Sequence, residues 1–244
     1  MPLISVILVC KNSENLIANA ISSVLHQKFE NLELIIQDSV SSDKTVEEIK
    51  KFDDKRIKFV SERDTGIYDG LNKAIKRSSG EVVGIMHSDD IYDSQDVLLQ
   101  VWSAFEREKV DLVYGDLKYT TAKGHVIRNW TAGNFSAVGC KLGWMPPHPA
   151  VFYRRSSLLR YGLFDLSFSI SSDYEMMMRL FYKEKVRNFY LPICITRMRI
   201  GGVSNQIGNL LRKLLEDIQV MRLHRMPWII TILSKNLRKL QQFM

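Results

Sequence analysis

The chain predicts an α/β fold built on a mainly parallel sheet, and three observations carry the prediction. Short apolar runs suited to buried strands alternate with segments whose apolar residues recur at three- and four-residue intervals. The helical segments are long enough to cross between parallel neighbours. Acidic residues recur where strands end, and open α/β sheets bind ligands beyond the carboxyl ends of their strands.

Leu3 to Val9 reads as the first strand. A helix follows through Leu16, Ile17, Ala20, Ile21, Val24 and Leu25, with Ser13 as its cap. Leu32 to Ile36 is a second strand ending at Gln37-Asp38, and the polar loop Ser39 to Asp43 leads into a helix over Thr45 to Phe52 that Asp43 can cap. Ile57 to Val60 forms a third strand. Ile67, Leu71, Ala74 and Ile75 define the next helix, which Gly80 can end with a left-handed cap. Val82, Val83, Ile85 and Met86 then make a buried strand running into His87-Ser88-Asp89-Asp90.

The second half has a different texture. A helix over Gln95 to Lys109 precedes a strand at Leu112 to Tyr114 and a hairpin, Lys118 to Thr121 against His125 to Trp130. Residues 131–149, rich in Gly and Pro, read as a substrate-facing loop or lid. Ala150 to Tyr153 resumes a strand, and Ser156 to Tyr161 is a short helix stopped by Gly162. Ser172-Asp173-Tyr174-Glu175 is a capping box opening a helix to Lys183.

Composition narrows the class. At 244 residues and 45% hydrophobic content the chain can bury a sizeable core. Cys10, Cys140 and Cys194 form no Cys-x-x-Cys pair, which excludes a zinc site or disulfide framework of familiar spacing and fits a reducing cytosol. The N-terminus has no basic region before its apolar run, and no stretch approaches the ~20 apolar residues that span a bilayer. A soluble or peripheral cytoplasmic protein is expected. Basic and acidic residues balance over 1–196, so the whole net charge of +7 sits in the last 48 residues.

Asp89 and Asp90 admit two readings. As a strand-end pair they suit a hard cation and phosphate chemistry, because Mg²⁺ takes one or two carboxylates and leaves other positions to phosphates and water. As a turn they simply cap the next helix.

Four segments together resemble a family 2 glycosyltransferase. They are Ser5-Val6-Ile7-Leu8-Val9 with Asn12, the loop Asp38 to Thr45, Asp64-Thr65-Gly66-Ile67-Tyr68-Asp69-Gly70-Leu71-Asn72-Lys73, and Ser88-Asp89-Asp90. His148 to Tyr153, Gly162 to Asp165, Asp173-Tyr174-Glu175 with Arg179, and Gly201-Gly202-Val203-Ser204 extend the likeness to residue 204. The resemblance is to bacterial enzymes of O-antigen, capsule or exopolysaccharide synthesis. It implies the GT-A fold: a Rossmann-like, mainly parallel central sheet flanked by helices, a small mixed acceptor-side subregion and a C-terminal helical tail. By the same resemblance, 1–115 is the nucleotide-sugar-binding half, 116–204 the acceptor-binding and catalytic-base half, and 205–244 a basic amphipathic tail.

Roles follow residue by residue from that likeness. Val9 and Asp38 match contacts to the base, Asp64 an acid lining the donor site, and Asp89 a position beside ribose or donor sugar. Asp90 matches the ligand of Mn²⁺ or Mg²⁺, and Asp173 the general base of an inverting hexosyltransferase. These roles are chemically coherent. A carboxylate such as Asp38 can accept the imide N–H of a uracil-like base, and the first helical turn that holds Asp173 favours a negative charge. His148 is a candidate acceptor contact, or else a histidine satisfied by nearby backbone. Arg154 and Arg155 suit acceptor phosphate, or form an ordinary surface pair. Two departures stand out: the family more often has glycine at the positions of Ser39 or Val40 and of Lys44, and its Asp-x-Asp motif stands here as His87-Ser88-Asp89 or Ser88-Asp89-Asp90. The implied substrates are a nucleotide-sugar donor, a UDP-sugar, and a polyprenyl-diphosphate-linked saccharide acceptor.

In the tail, Ile207, Leu210, Leu211, Leu214, Leu215, Ile218 and Met221 form a stripe suited to packing on the catalytic domain. Beyond Pro227, Trp228, Ile229, Ile230, Ile232, Leu233, Leu237 and Leu240 interleave with Lys235, Arg238 and Lys239, a pattern suited to the inner face of an anionic membrane or to a partner subunit. Rival functions fit less well. A nucleotidyltransferase typically carries a Gly-rich phosphate loop where residues 9–15 have no glycine, a dinucleotide-binding dehydrogenase needs Gly-x-Gly-x-x-Gly after the first strand, and a nucleic-acid binder is at odds with the neutral first 196 residues.

Overall fold

A computed structural model describes residues 3–200 and 210–241. The Gly201 to Ser204 motif and Ile207 lie outside the described residues, as do the side chains of Leu237, Arg238, Lys239 and Leu240. Strands β1 (Ile4–Cys10), β2 (Leu32–Asp38), β3 (Ile57–Ser61), β4 (Val82–His87), β5 (Asp90–Tyr92), β6 (Leu112–Thr120), β7 (Val126–Trp130), β8 (Val151–Arg154) and β9 (Asn188–Arg199) join in one sheet. Its order is β3-β2-β1-β4-β8-β6-β9-β5, with β7 paired to β6. The first four strands are parallel, whereas β8 runs antiparallel to both β4 and β6 and makes the second half mixed. Helices are α1 (Ile17–Leu25), α2 (Thr45–Lys50), α3 (Ile67–Arg77), α4 (Val97–Glu108), α5 (Ala137–Lys141), α6 (Arg155–Tyr161), α7 (Ser172–Met177), α8 (Leu210–Leu223) and α9 (Trp228–Gln241).

Every residue of β1 and β2 is buried, because helices cover both faces of the sheet. Alternate residues feed two cores. Ile4, Val6 and Leu8 pack with α1 and α4, and Ile7 and Val9 with α3, α7 and the tail residues Val220 and Met221. Register levels the carboxyl ends: Val9 pairs with both Gln37 and His87, Cys10 with Asp38, and Asp38 with Ser61.

Several local expectations give way to contacts from distant parts of the chain. Ser13 caps nothing; its hydroxyl lies 2.8 Å from that of Ser88, tying the β1–α1 loop to the acidic turn. Gly80 is not a left-handed cap. A Cβ there would lie 2.6 Å from Ser5 Oγ, so glycine is required by close approach. Residues 143–150 are packed, with Trp144 against Tyr114, Phe135 and Phe181, so this segment is core and not an open lid. The capping box at Ser172 does not form. Ser171 occupies the cap position without a side-chain bond, Glu175 turns instead to Arg179, and α7 continues as a π-helical segment over Met178–Lys183. Arg154 and Arg155 sit beside Glu81 and Ser78, since antiparallel pairing of β8 carries Arg154 to the amino end of β4, away from the acids.

The tail stripe is also turned around. Leu210, Leu211, Leu214 and Leu215 are exposed, while Glu216, Asp217, Val220 and Met221 face inward. The inward face is chosen by hydrogen-bond donors waiting for the two acids near α7.

Close packing at the sheet centre gives a stability test. A Cβ on Gly84 would lie 2.3 Å from the ring of Phe152, which is itself buried against Tyr92. Gly84→Ala should lower unfolding free energy by about 1–3 kcal/mol in urea titration, and an unchanged midpoint would show that β8 yields freely.

Candidate active site

The carboxyl ends of β1, β2 and β4 form the floor of the site, and the polar residues that could not enter the sheet gather there. At the β2 end, Asp38 is fully buried and accepts bonds from the Ser41 backbone N–H at 3.1 Å, from the Ser41 hydroxyl, and from the Ser61 hydroxyl at 2.6 Å. Its first task is to hold the loop. Asn12, in a left-handed conformation at φ 50°, accepts from the Ser42 N–H at 2.9 Å, and Asp43 accepts from the Thr45 N–H at 2.9 Å. Val40 is also left-handed at φ 50°, a strained choice for a β-branched residue. Asp64 accepts from the Ser39 hydroxyl at 2.9 Å and the Gly66 N–H at 3.1 Å. Its other oxygen faces Gly70, whose missing side chain lets α3 come close; Val9 and Gln37 border the same spot.

Three predicted residues, Val9, Asp38 and Asp64, therefore share one end of the site. Asp89 and Asp90 form its middle. Asp89 is half-buried, whereas Asp90, pairing with Met198 at the start of β5, is fully buried with no hydrogen bond to either carboxylate oxygen among the described residues. Burial pushes the Asp90 carboxyl well above the usual carboxylate range and Asp89 adds to the shift; the nearby backbone N–H groups of His87 and Arg199 oppose it without closing a bond. Both acids border a cavity of about 530 Å³ between α1, β5 and the β6–β7 hairpin, shared with Ser23, His26, Arg197 and Arg199. That cavity contains none of Val9, Asp38, Asp64, His148 or Asp173.

Across β4 lies the third group. Asp173, on the first turn of α7, accepts from the Tyr174 N–H at 2.8 Å and lies 3.2 Å from the Tyr68 hydroxyl. Its charge acts on His87 and His148, whose rings are 6.1 Å apart. Burial dominates for both imidazoles and pushes their pKa values down, His148 to about 4, against the pull of Asp173. His148 is not satisfied by backbone: Nδ1 is 3.5 Å from the Tyr153 hydroxyl, and Nε2 is buried without a hydrogen bond among the described residues.

Sequence reading missed His87, Tyr68 and Arg199. Strand period gave a usable signal for His87, which follows Val83 and Ile85 on the face turned toward α7. Nothing local marked Tyr68 or Arg199. Lys73 pairs with Asp69 at 3.1 Å and donates to the Arg63 carbonyl.

The sequence model for Glycosyl transferase family 2 matches residues 5–200. The chain belongs to that family. A "PGL/p-HBAD biosynthesis glycosyltransferase" of Mycobacterium bovis is 26% identical over 84% of this glycosyltransferase and 80% of its own length. WfgD of Escherichia coli, a "UDP-Glc:alpha-D-GlcNAc-diphosphoundecaprenol beta-1,3-glucosyltransferase", is 35% identical over 47% of this chain and 45% of its own. Among solved structures, S. aureus TarS 1-349 in complex with UDP-GlcNAc superposes with TM-score 0.70 at 19% identity, covering 92% of this chain and 65% of that one. A Pyrobaculum calidifontis mannosyltransferase in complex with GDP-Man and Mn2+ superposes with TM-score 0.66 at 16% identity, covering 91% and 63%. The family 2 chain thus spans less than two thirds of these solved relatives, and the superpositions establish the GT-A type of fold.

The buried histidine supplies a pH test. Unfolded histidine titrates near 6.5 and His148 in the fold at about 4, so between those values the unfolded chain binds the extra proton. The contribution of neutral His148 is complete above about pH 6.5 and is lost as pH falls toward 4. Thermal unfolding of the native enzyme should therefore lose up to about 3 kcal/mol more over that window than His148→Gln, and parallel curves would contradict the assignment.

Proposed function

We propose that this glycosyltransferase transfers a sugar, with inversion, from a UDP-sugar to a polyprenyl-diphosphate-linked saccharide during surface polysaccharide synthesis. The observation that carries the reading is that Asp173 and the strand-end acid Asp89 both act on His87 at the end of β4, with the unpartnered, buried carboxylate of Asp90 next in the chain. Val9, Asp38 and Asp64 border the base, with Asp38 fixing the loop that would enclose it. Asp89 meets ribose or donor sugar.

Asp90 suits a divalent cation. Two buried carboxylate oxygens without hydrogen-bond partners are donors lacking a charge to face, and a cation is the partner that would keep this acid ionised. Mn²⁺ or Mg²⁺ would be held there by one or two carboxylates and completed by phosphates and water; among the described residues no group of three or more His, Cys, Asp or Glu could hold such an ion by itself. When bound, such an ion neutralises charge developing on the departing diphosphate.

The chain's own groups account for the rest. Asp173 takes the proton of the acceptor hydroxyl as its oxygen bonds to the anomeric carbon; the bond from that carbon to the diphosphate oxygen breaks, and its electron pair leaves with UDP. Neutral His148 offers Nε2 to an acceptor hydroxyl, and Tyr68 steadies the base.

Membrane docking belongs to the same proposal. Leu210, Leu211, Leu214, Leu215 and Leu223 on α8 and Ile229, Ile230 and Leu233 on α9 are exposed, with Arg212, Arg222 and Arg225 exposed nearby. No helix among the described residues is long and apolar enough to cross a membrane. An interfacial seat on anionic lipid covers these side chains and brings the site to a lipid-linked acceptor.

Two experiments test the proposal. In calorimetry with UDP and Mn²⁺, Asp90→Ala should lose metal-dependent binding while Asp173→Asn keeps it, and Asp173→Asn should reduce turnover about 10²–10⁴-fold. Undiminished turnover in either variant removes that residue from its role. Replacing Ile229, Ile230 and Leu233 together by Glu should reduce sedimentation with anionic vesicles at low salt while leaving far-ultraviolet circular dichroism unchanged; equal sedimentation overturns the membrane seat.

A further inference from the structure

The segment leading into Asp173 is held by a helix that lies outside the family match. Ser169, Ile170 and Ser171 approach α7 with backbone N–H groups that no neighbouring side chain caps. Glu216 of α8 takes all three: Oε1 accepts from the Ser169 N–H at 3.2 Å and its hydroxyl at 2.8 Å, and Oε2 from the Ile170 N–H at 2.8 Å and the Ser171 N–H at 2.9 Å. Burial works against the charged form of Glu216, but these donors outweigh it and hold the carboxyl below its usual range. Arg212, one turn earlier, donates at 3.3 Å.

Asp217 extends the clamp. It accepts from the Ser171 hydroxyl at 2.8 Å and from Lys235 of α9 at 2.7 Å, while Lys235 Nζ sits 3.9 Å from the centre of the Tyr174 ring. On the other side, the Ile170 carbonyl accepts from the Tyr68 hydroxyl at 2.6 Å, the same hydroxyl that lies 3.2 Å from Asp173. Residues 169–174 are thus fastened from two directions, and Asp173 is the one carboxylate of this segment turned to the site.

The two acids are the only ones in the last 48 residues of a strongly basic tail. The family match ends at residue 200, so both acids lie outside the matched residues. We propose that Glu216, backed by Asp217, is a positioning residue that sets the place of Asp173 against the acceptor hydroxyl. This rests on Asp173 being the base. Misplacing a base by about 1 Å can cost up to about 100-fold in rate without altering donor binding.

The test uses the full chain with Glu216→Ala, Glu216→Gln and Asp217→Asn. Hydrogen exchange over 168–176 reads the clamp, calorimetry with UDP and Mn²⁺ reads donor binding, and UDP release from UDP-glucose with water as acceptor reads turnover. Expected for Glu216→Ala are faster exchange confined to that segment, unchanged UDP affinity and donor KM, and kcat lower by about 10- to 100-fold; the isosteric Gln should recover part of the rate. Exchange that quickens while kcat stays within about twofold would reduce Glu216 to a structural role, and unchanged exchange would remove the clamp itself. If Asp173→Asn retains full turnover, the base assignment fails instead, while the exchange result still stands.

Discussion

A sheet buried on both faces leaves its polar groups few places to go, and that constraint organises this molecule. Strands β1, β2 and β4 are buried and mostly apolar, with Ser5 donating to Glu33 inside the sheet, and their register brings Val9, Asp38 and His87 to nearly one level. Polar side chains beyond that level meet each other or a ligand. Helices α3 and α7 approach from one face and α1 from the other, so five acids from four separate segments gather at this end of the sheet without any of them interrupting the core.

What the sequence revealed was whatever depends on near neighbours. The strand ending at Asp89-Asp90 was legible because an uncharged run meeting two acids marks where burial stops. The alternating strands and helices of the first half were legible from period alone. Features decided by distant partners were not. Ser13 looks like a cap and instead faces Ser88, the capping box at Ser172 loses its Glu to Arg179, and residues 143–150 combine turn-forming composition with burial around Trp144. Each local signal was sound, and a contact from elsewhere outweighed it.

Helix α8 shows the competition most clearly. Its leucines predict which face turns inward, yet the inward face carries Glu216 and Asp217. A buried carboxylate without partners costs several kcal/mol, which would forbid this arrangement. Here both acids meet donors: backbone N–H groups and hydroxyls for one, a hydroxyl and Lys235 for the other. The segment ahead of α7 gains its missing caps in the same contacts. Leucine burial, about 1.5–3 kcal/mol per side chain, is left for another surface to supply.

Electrostatic balance separates the two halves of the candidate site. His87 and His148 lie close enough to Asp173 for its charge to favour their protonation, yet burial outweighs that pull for both. An imidazolium beside Asp173 would compete for its lone pairs and lower its readiness to take a proton; a neutral imidazole does neither. If Asp173 is the base, as proposed, it faces neutral imidazoles and no counter-ion from them. On the proposed reading, compensation for a diphosphate would come from the acidic turn beyond His87, where the unpartnered oxygens of Asp90 and the side chain of Arg199 border the same cavity. In the proposed reaction, positive charge would gather on the leaving-group side and proton affinity on the attacking side, the division that a direct displacement requires.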